Sequence, residues 1–232
     1  MKFYNRTSEL AELKRIQNLS FSDHSRLTVV TGRRRIGKTS LIMKSVEDLP
    51  TVYLFVGRKG EATLCSEFIP IISQSLDTFV PAEIRTFRSL FQYLMELASH
   101  KPFNLIIDEF QEFYNINESV YSDMQNIWDT YRKKSNMNLI VSGSVYSLMQ
   151  KIFQNKKEPL FGRADNIIKL SAFDLTTLKG IMQDYNPNYT NDDLLALYSF
   201  TGGVPKYVEL FCDNIPLSID EMTSFMVREN SP

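Results

Sequence analysis

The chain of 232 residues has few of the residues that build metal centres and covalent cross-links. Its two cysteines, Cys65 and Cys212, are too few and too far apart for a disulfide framework or a zinc site, so we expect inert buried thiols. Two histidines, His24 and His100, exclude a histidine-rich metal centre. No run approaches the roughly 18 to 20 apolar residues that span a bilayer, and the first ten residues are more polar than a signal peptide. We therefore expect a cytoplasmic protein with no membrane partner.

The remaining composition is that of a soluble globular protein. Apolar residues make up 43% and charged residues 23% of the chain, which excludes disorder and fibrous repeats as its main state. The net charge is only −1, but the charges are unevenly placed. Between residues 26 and 44 there is no acidic residue, and six are basic: Arg26, Arg33, Arg34, Arg35, Lys38 and Lys44. This segment predicts a site for an anion.

Short apolar runs alternate with amphipathic helical patterns over the first three quarters of the chain. The runs predict five strands, at residues 27–31, 52–56, 104–107, 139–141 and 167–170. The alternation is typical of a parallel sheet with helices on both faces. After residue 173 only helical patterns follow, with Asp174 and Asn191 as predicted N-caps and Gly202 as a predicted helix end. We therefore predict an α/β core over residues 1–173 and a small helical lid over residues 174–232.

Residues 32–39 (GRRRIGKT) fit the pattern G-x-x-x-x-G-K-[ST] and lie between a predicted strand and a predicted helix. Glycines let successive N–H groups point inward, and the helix adds its positive N-terminal end, so that the loop binds phosphates. Lys38 would reach the β- and γ-phosphates, and the Thr39 hydroxyl would ligate Mg²⁺. The predicted nucleotide contacts are Gly32, Arg33, Arg34, Arg35, Ile36, Gly37, Lys38, Thr39 and Ser40. The three arginines are either exposed variable positions of this loop or contacts for DNA or a partner subunit.

An acidic pair, Asp108 and Glu109, follows the third predicted strand. Alone it could be an ordinary boundary between a strand and a loop. With the phosphate loop upstream, we expect Asp108 to hold the Mg²⁺ hydration shell and Glu109 to orient or deprotonate the attacking water. The base-reading Asn-Lys-x-Asp motif of GTPases is missing, since its nearest match at residues 155–158 (NKKE) ends in glutamate and precedes a strand. The sequence therefore favours ATP.

Further polar residues are candidates for the same site. Ser142 and Ser144 would lie beside the acidic pair if the fourth strand neighbours the third. We favour Ser142 as a sensor of the γ-phosphate, whereas the alternative is a turn residue that bonds its own backbone. Arg163 precedes the fifth strand, where it either stabilises transition-state charge across a subunit contact or is an ordinary surface residue. The predicted catalytic residues are Glu109, Lys38, Ser142 and Arg163.

Taken together, these motifs resemble the archaeal-type ATPases, close to the STAND branch of the AAA+ P-loop ATPases. The resemblance covers nearly the whole chain, and besides the phosphate loop it is carried by residues 3–6 (FYNR), 105–111 (LIIDEFQ), 142–144 (SGS), 162–163 and 201–205 (TGGVP). It implies a five-stranded sheet of the ASCE/AAA+ type with a helical lid. It also implies that the adenine is flanked by Phe3, Tyr4, Arg6, Gly203 and Pro205.

Similar proteins act as ATP-driven switches, and many continue into winged-helix and nuclease-like domains beyond the point where this chain ends. The leading hypothesis is therefore a Mg²⁺-dependent ATPase that switches between ATP and ADP states, with a second copy of the chain or a DNA or protein effector as open partners. The alternative is a nucleic-acid-binding ATPase related to origin-recognition initiators, based on residues 26–44 and 132–134. A pI of about 6.2 argues against that alternative. A small-molecule kinase would need an acceptor pocket and usually lacks a base such as Glu109.

Overall fold

The β-branched and aliphatic runs form one sheet in the computed structural model, which describes residues 1–228. The strands are β1 (Arg26–Thr31), β2 (Thr51–Phe55), β3 (Phe103–Asp108), β4 (Met137–Gly143) and β5 (Asn166–Lys169). Every pairing is parallel, and the order across the sheet is β2-β3-β4-β1-β5. The prediction of a five-stranded parallel sheet flanked by helices is confirmed.

The burial of each strand follows from its place in the sheet. All residues of the central strands β3 and β4 are buried, because neighbouring strands lie on both sides and helices cover both faces. The edge strand β2 instead alternates between buried and partly buried residues and ends at the exposed Phe55. Strand β3, which ends in Asp108, and strand β4 are therefore the most completely buried strands of the sheet.

Eleven α-helices occur within residues 1–228, besides two short 3-10 helices at Phe110–Glu112 and Arg132–Lys134. The α-helices are α1 (Thr7–Ser22), α2 (Lys38–Ser45), α3 (Glu61–Leu76), α4 (Phe87–Leu97), α5 (Phe113–Ile116), α6 (Ser119–Tyr131), α7 (Tyr146–Gln154), α8 (Leu175–Tyr185), α9 (Asn191–Thr201), α10 (Pro205–Asn214) and α11 (Ile219–Met226). The sequence patterns did not predict α5, α7 and α11, because helices of one to three turns repeat the apolar spacing too few times to be recognised.

Local capping explains where the helix boundaries differ from the predictions. The predicted cap Asp174 is confirmed, since its side chain accepts a hydrogen bond from the Thr177 N–H group. The predicted cap Asn191 is wrong: Thr190 caps α9 through a reciprocal pair of hydrogen bonds with Asp193, so Asn191 is the first helical residue. From residue 38 onward the sequence pattern is helical as far as Asp48, but α2 ends at Ser45, and Asp48 has a left-handed φ of 66°.

The chain divides into two compact units. The sheet unit comprises Ser8–Gly32 and Lys38–Lys169, and its core fills the space between the strands and their helices. The helical unit comprises Met1–Thr7, Arg33–Gly37 and the residues from 170 onward, and its core joins α8, α9, α10 and α11. The boundary predicted after residue 173 remains a proposal about domains. Residues 229–232, at the end of the predicted lid, lie outside the described residues.

Each unit buries one cysteine. Burial raises the pKa of the Cys65 thiol to about 11 and that of Cys212 to about 12, so both stay protonated at neutral pH. Within residues 1–228, no helix combines the length and the apolar character needed to cross a membrane.

Two adjacent glycines of the helical unit provide a test of its packing. Gly202 and Gly203 both have left-handed backbones, with φ of 56° and 68°. A Cβ atom at Gly203 would lie 2.4 Å from the carbonyl oxygen of Phe173, whereas one at Gly202 would meet no atom within 4 Å. We expect Gly202→Ala to cost about 1 kcal/mol from backbone strain, and Gly203→Ala to cost about 1–3 kcal/mol more because backbone must move.

Hydrogen exchange of the amides in α8 to α10 measures this difference, with Gly202→Ala as the matched control. Equal loss of protection in the two variants would contradict the close packing of Gly203 on Phe173.

Candidate functional site

The predicted phosphate loop connects β1 to α2. Two loop residues have left-handed backbones, Gly37 with φ of 86° and Arg35 with φ of 67°. A non-glycine residue in this region costs about 1–2 kcal/mol, so it needs support from its surroundings. In the helical unit, Arg35 has that support: its carbonyl oxygen accepts a hydrogen bond from the Lys206 N–H group at 3.3 Å, and its guanidinium lies 5.3 Å from the centre of the Tyr207 ring.

The first two residues of α2 are Lys38 and Thr39, the lysine and threonine of the G-x-x-x-x-G-K-[ST] pattern. Lys38 is 92% buried, and its Nζ donates a hydrogen bond to the carbonyl oxygen of Gly32 at 2.9 Å. The Thr39 hydroxyl donates to Oδ2 of Asp108, also at 2.9 Å. The N-terminal turn of a helix carries partial positive charge, which favours an anion at this position. The phosphate loop and the acidic strand are therefore in direct contact.

The sheet order explains this contact. Strand β4 lies between β1 and β3, with Val30 of β1 aligned to Ser142 and Ile107 of β3 aligned to Val141. The carboxyl ends of the three strands thus coincide at one edge of the sheet. The sequence predicts that Ser142 and Ser144 lie beside the acidic pair if the fourth strand neighbours the third. In the structure β4 does neighbour β3.

Both serines donate hydrogen bonds to the acidic pair. The Ser142 hydroxyl donates to Oδ1 of Asp108, and the Ser144 hydroxyl donates to Oε2 of Glu109 at 2.7 Å. The bond from Ser142 is to another element, not to its own turn as the alternative interpretation required. Whether either serine senses a phosphate stays a prediction.

Asp108 lies in a buried environment with many donors. Besides Thr39 and Ser142, its carboxylate accepts hydrogen bonds from the Tyr53 hydroxyl at 2.8 Å and from the backbone N–H group of Glu109 at 2.9 Å. Burial raises the pKa of Asp108, but the hydrogen bonds from Ser142, Tyr53 and Thr39 outweigh it and hold the pKa below its ordinary value. The carboxylate is therefore charged at neutral pH and suited to a cation.

Glu109 has a left-handed backbone, with φ of 54° and ψ of 40°. Such a conformation costs of the order of 1 kcal/mol or more and persists only where the surroundings enforce it. The next residue, Phe110, is fully buried, with its ring centre 5.4 Å from that of Tyr121 and 5.7 Å from that of Phe153. The packing of Phe110 thus holds Glu109 in its turn, where its carboxylate also accepts a hydrogen bond from the Gln111 side-chain amide.

Sequence reasoning missed the roles of Tyr53 and Gln111 as partners of the acidic pair. Tyr53 is aligned with Ile106, and Asp108 lies two residues further along β3 on the same face of the sheet. Burial and the hydrogen bond to Asp108 raise the pKa of the Tyr53 hydroxyl, which stays protonated as a donor. A tyrosine within an apolar strand indicates that its hydroxyl has a partner, but the partner depends on which strand lies beside it.

The residues predicted to flank the adenine lie in the helical unit. The Arg6 guanidinium lies 5.5 Å from the centre of the Phe173 ring and donates a hydrogen bond to the carbonyl oxygen of Ser171. Gly203 contacts the same phenylalanine, since its carbonyl oxygen accepts from the Phe173 N–H group at 2.8 Å. The structure therefore brings Arg6 and Gly203 together at Phe173, which the sequence did not single out.

The other predicted adenine contacts have separate surroundings. The Tyr4 hydroxyl donates to Asp184 at 2.7 Å, Phe3 is 45% exposed, and Pro205 begins α10. The role of all five residues toward adenine stays a prediction.

Arg163 makes its contacts away from the acidic pair. Its guanidinium donates to both carboxylate oxygens of Asp129, with a shortest distance of 2.6 Å, and to the carbonyl oxygen of Pro159 at 2.7 Å. These bonds tie the segment before β5 to α6. A role in stabilising transition-state charge stays a prediction, and it requires this ion pair to open. The loop residues Arg33, Arg34 and Ser40 are exposed.

The side-chain oxygens at the sheet edge suit a Mg²⁺ ion that binds as part of a nucleotide complex. Thr39 and Asp108 supply hydroxyl and carboxylate oxygens, the hard ligands that Mg²⁺ prefers. Within residues 1–228 there is no group of three His, Cys, Asp or Glu residues that could hold a metal. A nucleotide-bound Mg²⁺ needs only one or two protein ligands, because phosphates and waters fill the other positions.

Comparisons with known proteins show the family of the chain and its fold. The profile of a family described as an ATPase domain predominantly from Archaea matches residues 3–211. An uncharacterized protein of Methanocaldococcus jannaschii is 30% identical over 222 residues, which are 94% of this chain and 47% of that protein. The chain therefore spans about half the length of this curated relative.

Two solved structures share the fold. The Walker-type ATPase of Pyrococcus abyssi has a TM-score of 0.67 and 17% identity, covering 96% of this chain and 71% of that one. The ORC2 protein of Aeropyrum pernix, in complexes with ADPNP and ADP, has a TM-score of 0.62 and 14% identity, covering 88% of this chain and 60% of that one. At such identities the likeness establishes a P-loop ATPase fold.

The two serines at the end of β4 differ in burial, and this difference can be tested. We expect Ser142→Ala to lower the free energy of unfolding by about 1.5–3 kcal/mol, because a fully buried hydroxyl bound to a buried carboxylate has no water to replace it. Ser144→Ala should cost less than about 1 kcal/mol, because Ser144 is partly exposed. Urea unfolding followed by the fluorescence of Trp128, which is buried in the sheet unit, measures both. Equal costs would contradict the buried hydrogen bond.

Proposed function

Because the chain belongs to the family of ATPase domains found predominantly in Archaea, we propose that it binds ATP with Mg²⁺ and hydrolyses it as a nucleotide-dependent switch. The observation that carries this proposal is the hydrogen bond of 2.9 Å between Thr39 and Asp108. It joins the two halves of a phosphate and metal site that lie 69 residues apart in the sequence. A structural role alone would not require a lysine, a threonine and two carboxylates at one sheet edge.

In the proposed complex the phosphate loop binds the triphosphate. Lys38 exchanges the Gly32 carbonyl for phosphate oxygens, and the N-terminal turn of α2 adds its partial positive charge. Thr39 and Asp108 hold Mg²⁺, which neutralises charge on the β- and γ-phosphates when bound. Asp108 suits this task because its hydrogen bonds keep it ionised.

The chemical step in this proposal is the attack of water on the γ-phosphorus. Both hydrogen bonds to the Glu109 side chain, from Gln111 and Ser144, end on Oε2. This leaves Oε1 to accept the proton of the water as its oxygen bonds to phosphorus and the bond to the ADP oxygen breaks. The products are ADP and inorganic phosphate, and Glu109 returns its proton to solvent.

A switch also needs a part of the protein that responds to the phosphates. The tip of the loop, residues 33–37, belongs to the helical unit, where Arg35 contacts Lys206 and Tyr207 of α10. A change in the loop when the γ-phosphate leaves would therefore act on α10 directly. This contact supports the switch hypothesis over a simple metabolic ATPase.

Several parts of the proposal concern the whole protein. The chain spans about half of its curated relative, so an effector, whether DNA or protein, is proposed for the whole protein on the family resemblance. A homo-oligomer in which Arg163 acts across a subunit contact, and a cytoplasmic location, are proposed on the same family resemblance.

Nucleic-acid binding by this chain is the second candidate function. It is supported by the exposed Lys133 and Lys134. The third basic residue of that cluster, Arg132, pairs with Asp165 at 3.0 Å and stacks on Trp128, so its charge is partly neutralised. We expect no measurable binding of duplex DNA by residues 1–232 at about 50 mM salt, and fluorescence anisotropy with labelled DNA measures it. Binding that weakens steeply with added salt would favour this second function.

Two substitutions test the ATPase proposal. We expect Lys38→Ala to weaken ATP binding about 10- to 100-fold, because a charge-assisted hydrogen bond to phosphate is lost, with the exposed Lys44→Ala as control. We expect Glu109→Gln to bind ATP as the parent does and to lower kcat about 100- to 10,000-fold, because the amide cannot accept the proton. Glu112→Gln, three residues on, is its control.

Fluorescent-nucleotide titration and phosphate release measure these effects. Unchanged ATP binding in Lys38→Ala, or unchanged turnover in Glu109→Gln, would refute the assignment of roles.

A further inference from the structure

The Asp108 carboxylate has no acceptor position to spare. Two donors reach Oδ1, the Ser142 hydroxyl and the Glu109 N–H group, and two reach Oδ2, the Thr39 and Tyr53 hydroxyls. A carboxylate offers about four lone-pair positions. A water of a hydrated cation can therefore bond to Asp108 only when one of these four donors leaves.

The four donors differ in their freedom to leave. The Glu109 N–H group belongs to the backbone, and Ser142 is fully buried within β4. Thr39 is exposed at the start of α2, and a rotation about one side-chain bond turns its hydroxyl away from Asp108. Thr39 is also the proposed ligand of Mg²⁺, and its oxygen lone pairs can ligate the metal whether or not its O–H group keeps the bond to Asp108.

Tyr53 is the other donor on Oδ2, and it reaches this oxygen whether or not Thr39 turns away. Its backbone is held by β2, which pairs with β3 from Thr51 to Phe55. The ring reaches along the strand to an oxygen 2.8 Å from its hydroxyl. A tyrosine has only two side-chain torsions, so a ring fixed at its base holds its hydroxyl well.

We propose that Tyr53 is a positioning residue for the Mg²⁺ site: it holds Oδ2 of Asp108 in place when the Thr39 hydroxyl ligates the metal. This inference rests on the proposed function and adds a residue that no motif of the sequence contains. Residues that orient a metal ligand typically contribute 10- to 100-fold to metal affinity. The effect should therefore appear in the requirement for Mg²⁺, not in the affinity for nucleotide alone.

The substitution Tyr53→Phe removes the hydroxyl and keeps the ring. A matched control is Tyr131→Phe, because the Tyr131 hydroxyl also donates to a carboxylate, Oε1 of Glu96 at 2.8 Å, on the surface of α6 in the same unit. The full chain is titrated with a fluorescent ATP analogue in EDTA and then at increasing Mg²⁺. Binding of Mn²⁺ to the protein with a non-hydrolysable analogue, followed by electron paramagnetic resonance, gives a second readout without turnover.

We expect Tyr53→Phe to bind the analogue in EDTA within about twofold of the parent, and to need about tenfold more Mg²⁺ for half-maximal strengthening of binding. Mn²⁺ affinity should fall by a similar factor, and kcat at saturating Mg²⁺ should change much less. Tyr131→Phe should match the parent in every measurement. A role of Tyr53 in stability alone would lower the melting temperature and leave the Mg²⁺ requirement unchanged.

The outcomes separate the two proposals. If the parent and Tyr53→Phe bind the analogue with the same dependence on Mg²⁺, the positioning role is refuted and the proposed function stands. A parent that binds no analogue at any Mg²⁺ concentration overturns both. A Tyr53→Phe protein that no longer binds the analogue in EDTA, while Tyr131→Phe does, also refutes the positioning role, because the hydroxyl would then act on nucleotide binding itself.

Discussion

The buried negative charge of Asp108 is the constraint on which the sheet edge depends. An ionised carboxylate removed from water costs several kcal/mol unless hydrogen bonds compensate it. Here the compensating donors come from α2, β2 and β4, and from the backbone of the next residue. Each of these elements is therefore bonded to the same carboxylate at the end of β3. These hydrogen bonds therefore already orient the carboxylate of the proposed metal site.

The neighbouring carboxylate, Glu109, has a different environment, and this difference separates the proposed roles of the pair. Asp108 belongs to the strand and is saturated with donors, whereas Glu109 lies in a left-handed turn, with both of its side-chain donors on a single oxygen. Strain in the backbone is offset by the packing of Phe110 in an aromatic cluster. The two proposed roles, metal ligand and base, thus fall on adjacent residues whose surroundings differ because the strand ends between them.

The phosphate loop is shared between the two units in a way that bears on the proposed switch. Its lysine and threonine belong to the sheet unit, and its tip, residues 33–37, belongs to the helical unit. Within the helical unit, the left-handed Arg35 takes its support from α10 through one main-chain hydrogen bond and one ring contact. Around Phe173, Arg6 and Gly203 show that residues from both ends of the chain build the same unit.

The sequence alone determined the strands, most helices, the phosphate loop and the acidic pair, because these depend on local patterns: apolar runs, helical spacing and a contiguous motif. It also indicated Ser142 and Ser144, on the condition that their strand lies beside β3. Only the tertiary structure decided that β4 lies beside β3 and that residues 1–7 and 33–37 belong to the helical unit. It also decided the hydrogen-bond partners of Tyr53 and Arg163. Those features depend on which strands and helices become neighbours, and no local pattern encodes a neighbour that is 55 residues away in sequence, as Asp108 is from Tyr53.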